Sequence, residues 1–276
     1  MIPAPFDYRR VDAVDDAIQA LSADPDAKLL AGGHSLLPLM RLRLARPSLL
    51  IDISRIQDLK YVKEDGDQVA IGALTRHHDV ANSEVLQELC PIVSYAAGEI
   101  GDPQVRHVGT IGGSVAHADP ASDLPTVLLA LGAEMVVRGA GGAVRTVGAS
   151  EFFKGLFEPD LATNEVLTEI RVPKNAGRGW SYLKFHRRAQ DWALVGVAAL
   201  AQNGAGPAIA LTNMADRPVR ATGVEEELAG GADPAAASQR AAEGTSPPSD
   251  AFASAEYRQM LVKVLVRRAI EESRSR

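Results

Sequence analysis

The sequence predicts an α+β protein in two domains, and three observations carry that prediction. Helical and strand-like periods alternate irregularly up to about Pro173. The composition then shifts across Pro173–Gly179. Beyond that point three apolar runs of strand length come first, and helical patterns follow, as expected of a second α+β unit. The boundary is placed near Gly177.

The elements are expected in the following order. Val11–Leu21 has helical spacing and is closed by Ser22 to Asp26. Lys28–Ala31 is a short strand running into Gly32-Gly33, and Leu36–Leu44 is a short helix bearing Arg41 and Arg43. Leu49–Ile53 and Val69–Leu74 are apolar enough for buried strands. Thr75 caps a helix through Ala81, and Pro91–Ile100 is a helix closed by the turn Gly101-Asp102-Pro103. Thr110–Ala116 is broken by glycines and reads as loop or bulged strand. Leu124–Leu131 is a helix. Glu134–Arg138 and Val144–Val147 flank Gly139-Ala140-Gly141-Gly142 as a hairpin. Val166–Val172 is a strand stopped by Pro173. Ser181–Arg188, Ala193–Gln202 and Ala208–Met214 are the three strands of the second domain. Val224–Leu228, Pro234–Ala242 and Ala255–Glu272 are its helices. Ala229–Asp250, rich in Ala, Gly, Ser and Pro, is expected to be a loose surface stretch.

Composition excludes several functions. The 276 residues carry a net charge of −6, which disfavours nucleic acid as main partner, because phosphate binding needs a basic face. The single cysteine, Cys90, allows no disulfide framework and no iron–sulfur cluster held by this chain alone. Its apolar neighbours place it in the core. Met1-Ile2-Pro3-Ala4-Pro5-Phe6 lacks the basic and apolar regions of a signal peptide, and the longest apolar run, Ala193–Ala201, is far short of a membrane span. A cytoplasmic protein is expected.

Two glycine pairs point to an anion. Ala31-Gly32-Gly33-His34-Ser35 and Thr110-Ile111-Gly112-Gly113-Ser114 each place a Gly-Gly pair after apolar anchors and before a hydroxyl. Without a Cβ, backbone N–H groups can converge on a ligand oxygen. Together the loops are expected to hold a diphosphate from two sides. No Walker A loop and no Gly-x-Gly-x-x-Gly fingerprint occurs. Gly33-His34-Ser35-Leu36-Leu37 resembles a nucleophile elbow, but Leu37 stands where its last glycine is needed.

The remaining polar groups have bland readings beside functional ones. His77 and His78 are expected at the surface, pointing apart. His107, His117, Asp119 and Asp123 are metal-ligand types without zinc spacing, so no metal site is expected. His117-Ala118-Asp119-Pro120 reads as a loop whose side chains bond their own backbone. Asp123 reads as the N-cap of Leu124–Leu131, or as a carboxylate for a ligand hydroxyl or amine.

With these motifs assembled, the chain resembles the FAD-binding medium subunits of molybdenum hydroxylases, the carbon monoxide dehydrogenase and xanthine dehydrogenase family. The resemblance rests on Ala31 to Arg41, on Thr110 to Ser114, and on Ala118-Asp119-Pro120-Ala121-Ser122-Asp123-Leu124-Pro125. Pro5-Phe6-Asp7-Tyr8 and Lys184 to Ala193 add to it. It covers nearly the whole chain. It implies an FAD-binding domain of the vanillyl-alcohol-oxidase (PCMH) type over residues 1–176, with α+β subdomains of about 1–56 and 57–176. A C-terminal flavoprotein domain over 177–276 would hold a three-stranded antiparallel sheet and helices.

The resemblance also implies roles. Leu29, Leu30, Ala31, Gly32, Gly33, His34, Ser35 and Leu36, with Thr110, Ile111, Gly112, Gly113 and Ser114, would grip the FAD diphosphate and its surroundings. Ser114 stands where the family often has Asn. Gly101, or Ile100 beside it, would pack near the cofactor. Asp123 would meet ribityl or adenosine polar groups, and Leu167 would cover the ring system or adenine. Lys184 would reach the flavin or its polyol chain, and Trp192 would shield the isoalloxazine face. No catalytic residue is expected in this chain. The implied partners are a molybdopterin-binding large subunit and a [2Fe-2S] small subunit, in a possible dimer of heterotrimers. The electrons would leave this oxidoreductase subunit for an external acceptor, and the substrate would be chosen by another chain. Two alternatives remain. A self-sufficient FAD-dependent reductase of the same fold would act alone with NAD(P)H, whereas a non-catalytic partner-binding protein would be colourless.

Overall fold

The computed structural model describes residues 2–201 and 206–276. The first sheet has three parallel strands in the order Asp7–Arg10, Leu49–Asp52, Lys28–Leu30. Parallel strands need crossover connections, and helix Val14–Ala23 supplies one. Its Val14, Ala17, Ile18 and Leu21, spaced three and four apart, meet Ile51 and Ile53 in one apolar cluster. The strand Lys28–Leu30 then delivers the chain to Gly32-Gly33 at the end of this sheet.

The second sheet has five antiparallel strands, in the order Val62–Asp65, Gln68–Gly72, Val166–Pro173, Glu134–Arg138, Val144–Gly148. Helices Pro91–Gly98, Ile111–His117 and Asp123–Leu131 share its apolar core. Asp123–Leu131 is buried along its whole length and stops at Gly132 in the left-handed region (φ 66°), an ordinary helix stop.

The third sheet is antiparallel. Trp180–Phe185, Val195–Leu200 and Ala208–Thr212 correspond to the three expected strands, and a two-residue strand, Val219–Arg220, extends the edge. The expected end of the middle strand at Gln202 lies outside the described residues. The period of two sorts this sheet's faces. Val195, Val197, Ile209 and Leu211 meet the long helix Ala255–Ser275 through Val262, Leu265, Val266 and Ala269. Tyr182, Ala198 and Ala210 belong to the core of the second sheet. The second and third sheets are therefore joined through apolar packing around helix Asp123–Leu131.

Several local expectations are corrected. Thr110–Ala116 is neither loop nor bulged strand. Residues Ile111–His117 form a helix, with the Thr110 hydroxyl accepting from the Gly113 N–H. A Cβ on Gly112 would lie 2.5 Å from that of Ala73, so this glycine allows a close packing rather than breaking the helix. Ala229–Asp250 is not loose throughout. Asp233 caps the short helix Pro234–Ala237, and Ala237, Ser238 and Ala241 are buried. Their small side chains let this stretch lie against the long helix. Among the described residues no helix is long and apolar enough to cross a membrane.

Candidate cofactor-binding site

The glycine pairs come together, but they play different parts. A Cβ on Gly32 would meet the Val108 carbonyl oxygen at 2.4 Å and Gly109 Cα at 2.7 Å, so the first loop rests directly on the backbone that leads into Thr110. A Cβ on Gly113 would lie 4.0 Å from that of Ala31. Gly33 has φ 72°, which turns the chain sharply into helix Leu36–Arg41. Leu29 and Leu30 anchor the loop from the sheet, half-buried, and Leu29 packs on the first cluster. His34 and Ser35 are exposed.

Among the described residues, none of the backbone N–H groups of residues 32–36 donates a hydrogen bond within the chain. These are unpaired donors at a partly exposed turn that leads into a helix, the arrangement that receives anionic oxygens. The second loop differs. Its Ile111 N–H donates to Thr75 O, that of Gly112 to Ala73 O, and that of Gly113 to Thr110 Oγ1. The symmetrical two-sided backbone grip expected from the sequence is thus not present. The first loop offers the backbone donors, and the second offers a bare wall at exposed Gly113 and the half-buried hydroxyl of Ser114.

A second group of predicted residues meets at the border of the second and third sheets. Asp123 is not the N-cap of its helix. Ser122 takes that position with extended ψ, and the Asp123 carboxylate turns into the interior, 5% exposed. There it accepts from the Tyr182 hydroxyl at 2.5 Å and from Lys184 Nζ at 3.0 Å. Lys184 also donates to the Glu99 carbonyl at 3.0 Å. Burial pushes the Asp123 carboxyl up, and Lys184 and Tyr182 oppose that rise. The Tyr182 phenol is itself pushed well up, by burial and by Asp123.

The other predicted residues have surroundings of their own. Gly101 follows Glu99 closely, and its carbonyl and that of Ile100 face the Arg106 guanidinium at 3.4 and 2.8 Å. Leu167 is buried in the central strand beside a bulge at Leu167/Glu169. Trp192 is 66% exposed, so its indole is largely open among the described residues.

The histidine expectation is half wrong. His78 is partly exposed and stacks on His107 with ring centroids 4.1 Å apart. His77 is 4% exposed, its N–H donates to Gly109 O, and its ring lies where a Cβ on Gly109 would meet it at 2.9 Å. Among the described residues its Nδ1 has no partner, and burial lowers its pKa to about 4, with His34 and Arg106 adding to the shift. Cys90 is buried as expected. Asp119 bonds its own backbone as expected, accepting from the Ala121 N–H.

Sequence reasoning missed Tyr182, the Glu99 carbonyl, His77 and the Val108–Gly109 platform. Only Tyr182 left a signal, because it stands two residues before Lys184 on a strand and so shares its face.

The residues fit a dinucleotide cofactor. Unpaired N–H groups at the first loop suit a diphosphate, and a side chain at Gly113 would project beside Ala31 where the loops meet. Fold and site together define a nucleotide-cofactor protein of two α+β subdomains and a C-terminal sheet-and-helix unit. The chain belongs to the FAD-binding subunits of the molybdopterin dehydrogenases: residues 4–175 match the family described as FAD binding domain in molybdopterin dehydrogenase, and residues 180–273 match the CO dehydrogenase flavoprotein C-terminal domain. It is 41% identical to the carbon monoxide dehydrogenase medium chain of Hydrogenophaga pseudoflava, over 100% of this chain and 99% of that one. It is 40% identical to the glyceraldehyde dehydrogenase medium chain of Sulfolobus acidocaldarius, over 99% of each. A solved structure of the Hydrogenophaga carbon monoxide dehydrogenase, in a form lacking the Mo-pyranopterin moiety of its cofactor, superposes with a TM-score of 0.95 at 42% identity, covering 100% of this chain and 99% of that one.

Proposed function

We propose that this chain holds one FAD in a cytoplasmic molybdenum-containing hydroxylase, receives electrons from a [2Fe-2S] small subunit, and passes them to an external acceptor. The observation that carries the reading is the row of unpaired N–H groups at residues 32–36, set against Gly113. The large partner is a molybdopterin-binding subunit, and the assembly is a dimer of heterotrimers. The FAD-binding domain spans residues 1–176, in subdomains of about 1–56 and 57–176, and the C-terminal domain spans 177–276.

Bound there, FAD supplies the exchange between one-electron and two-electron steps. This chain's residues hold and surround it. The Leu29–Leu36 segment binds the diphosphate through backbone donors. Thr110, Ile111, Gly112, Gly113 and Ser114 form the opposing wall. Gly101 and buried Leu167 back the cofactor. Lys184, fixed by Asp123, sets positive charge beside the ring system and its polyol chain. Trp192, largely exposed, would shield the isoalloxazine face from water.

Affinity purification of the tagged full-length chain from its own cells is the test. Co-purification of an iron–sulfur and a molybdopterin subunit is expected, with no NAD(P)H-dependent reduction of small substrates by this chain alone. A chain that recovers neither subunit and turns over alone would instead be a self-sufficient reductase.

A further inference from the structure

The cluster around Asp123 contains a residue whose role the family resemblance does not supply. Tyr182 and Lys184 stand two apart on strand Trp180–Phe185 and point to the same face, toward helix Asp123–Leu131. Between them they satisfy both oxygens of a carboxylate that is sealed from water. A buried carboxylate tolerates ionisation only while donors hold it.

The neighbouring strands leave room for this arrangement. Lys184 pairs with Gly196, and Gly196 with Thr212. A Cβ on Gly196 would lie 3.1 Å from the Tyr182 hydroxyl oxygen and 2.7 Å from Thr212 Oγ1. Thr212 Oγ1 donates to Thr126 Oγ1 of the same helix at 2.8 Å. A row of hydroxyl and carboxylate groups thus fastens the third sheet onto the helix, and a glycine keeps it open.

We propose that Tyr182 is a positioning residue: its hydroxyl holds the Asp123 carboxylate in its ionised form, and that carboxylate pins the Lys184 ammonium at the cofactor site. The proposal rests on the reading that the buried Lys184 ammonium acts on FAD through its charge. The ionisable groups acting on Asp123 are Lys184 and Tyr182 from the strand, which favour its charged form, and Glu99 from the end of helix Pro91–Gly98, which opposes it. Without the phenol hydroxyl, burial and Glu99 act against fewer opposing donors, and the carboxyl takes up a proton at higher pH. Lys184 then loses its charged anchor and keeps only the Glu99 carbonyl.

The test titrates the full-length apo chain with FAD, following quenching of flavin fluorescence at about pH 8 and about pH 6. Wild-type affinity is expected to be the same at both values. Tyr182→Phe is expected to match wild type at the higher pH and to bind about tenfold more weakly at the lower, equivalent to about 1.4 kcal/mol. Asp123→Asn mimics the protonated carboxyl and is expected to bind weakly at both. A Tyr182→Phe chain whose affinity does not change with pH, whether equal to wild type or uniformly weaker, overturns the proposal. Where Tyr182→Phe does not fold, an Asp123→Asn chain that binds like wild type overturns it as well. Lys184→Met separates the two levels: wild-type affinity in that variant removes the site reading and the proposal together, whereas weak binding with a flat Tyr182→Phe profile removes only the role of Tyr182.

Discussion

Replacing His77 by asparagine should make the protein's stability less sensitive to acid. The imidazole is 4% exposed and, among the described residues, its Nδ1 has no partner, so a proton placed on it inside the fold finds neither water nor an acceptor. His34 and Arg106 add repulsion. The folded pKa is lowered from 6.5 to about 4. Above pH 6.5 both folded and unfolded chains carry a neutral imidazole, and His77 imposes no penalty. As pH falls from 6.5 toward 4 the unfolded chain binds a proton that the folded chain refuses, so stability drains across that window. The window spans about 2.5 pH units and, at about 1.36 kcal/mol for each, is worth about 3 kcal/mol. His77→Asn removes this loss, whatever its cost to packing at neutral pH. Urea unfolding of both proteins at several values between about pH 7 and about pH 4 measures it. The gap between wild type and variant should shift in favour of the variant by about 3 kcal/mol as the pH drops. A gap independent of pH would mean that His77 takes up its proton equally well in the folded and unfolded chains.

Other expectations follow from single contacts. Gly32→Ala drives a methyl into the Val108 carbonyl, 2.4 Å away, and should cost about 1–3 kcal/mol in urea unfolding; undiminished stability would mean that the loops do not rest backbone on backbone. Trp192→Ala should leave stability within about 0.5 kcal/mol, because the indole is 66% exposed, yet weaken FAD binding. An unaltered FAD titration would remove Trp192 from the site. The Cys90 thiol is buried and pushed up to about 12, so a thiol reagent at neutral pH should modify it only after unfolding. Immediate labelling of the native chain would contradict that burial.

How far the sequence reveals this molecule depends on which forces decide each part. Helix Val14–Ala23 and the strands of the third sheet are set by apolar spacing, and that spacing is visible along the chain. Helix Ile111–His117 is not, because Gly112 lowers local helix propensity while its packing on Ala73 rewards the helix in three dimensions. His77 looks like a surface residue beside His78, but Gly109 returns against its ring and the side chain is buried. At the site, the residue types of the first glycine loop show only a place where backbone can approach an anion. Nothing local reveals that the Ile111 and Gly112 donors of the second loop are spent, since their acceptors, Thr75 and Ala73, lie far back in the chain. Asp123 and Lys184 are singled out only by the family resemblance, and their ion pair spans 61 positions with no local pattern to announce it.

The central claim is that the loop at residues 32–36 and the wall at Gly113 hold FAD. Absorbance of the purified full-length chain in the flavin bands, calibrated by the cofactor released on denaturation, tests it most directly. A yellow protein with one FAD per chain is expected, or an apo chain that takes up FAD to that ratio. A chain that stays colourless and binds no FAD on titration would contradict it.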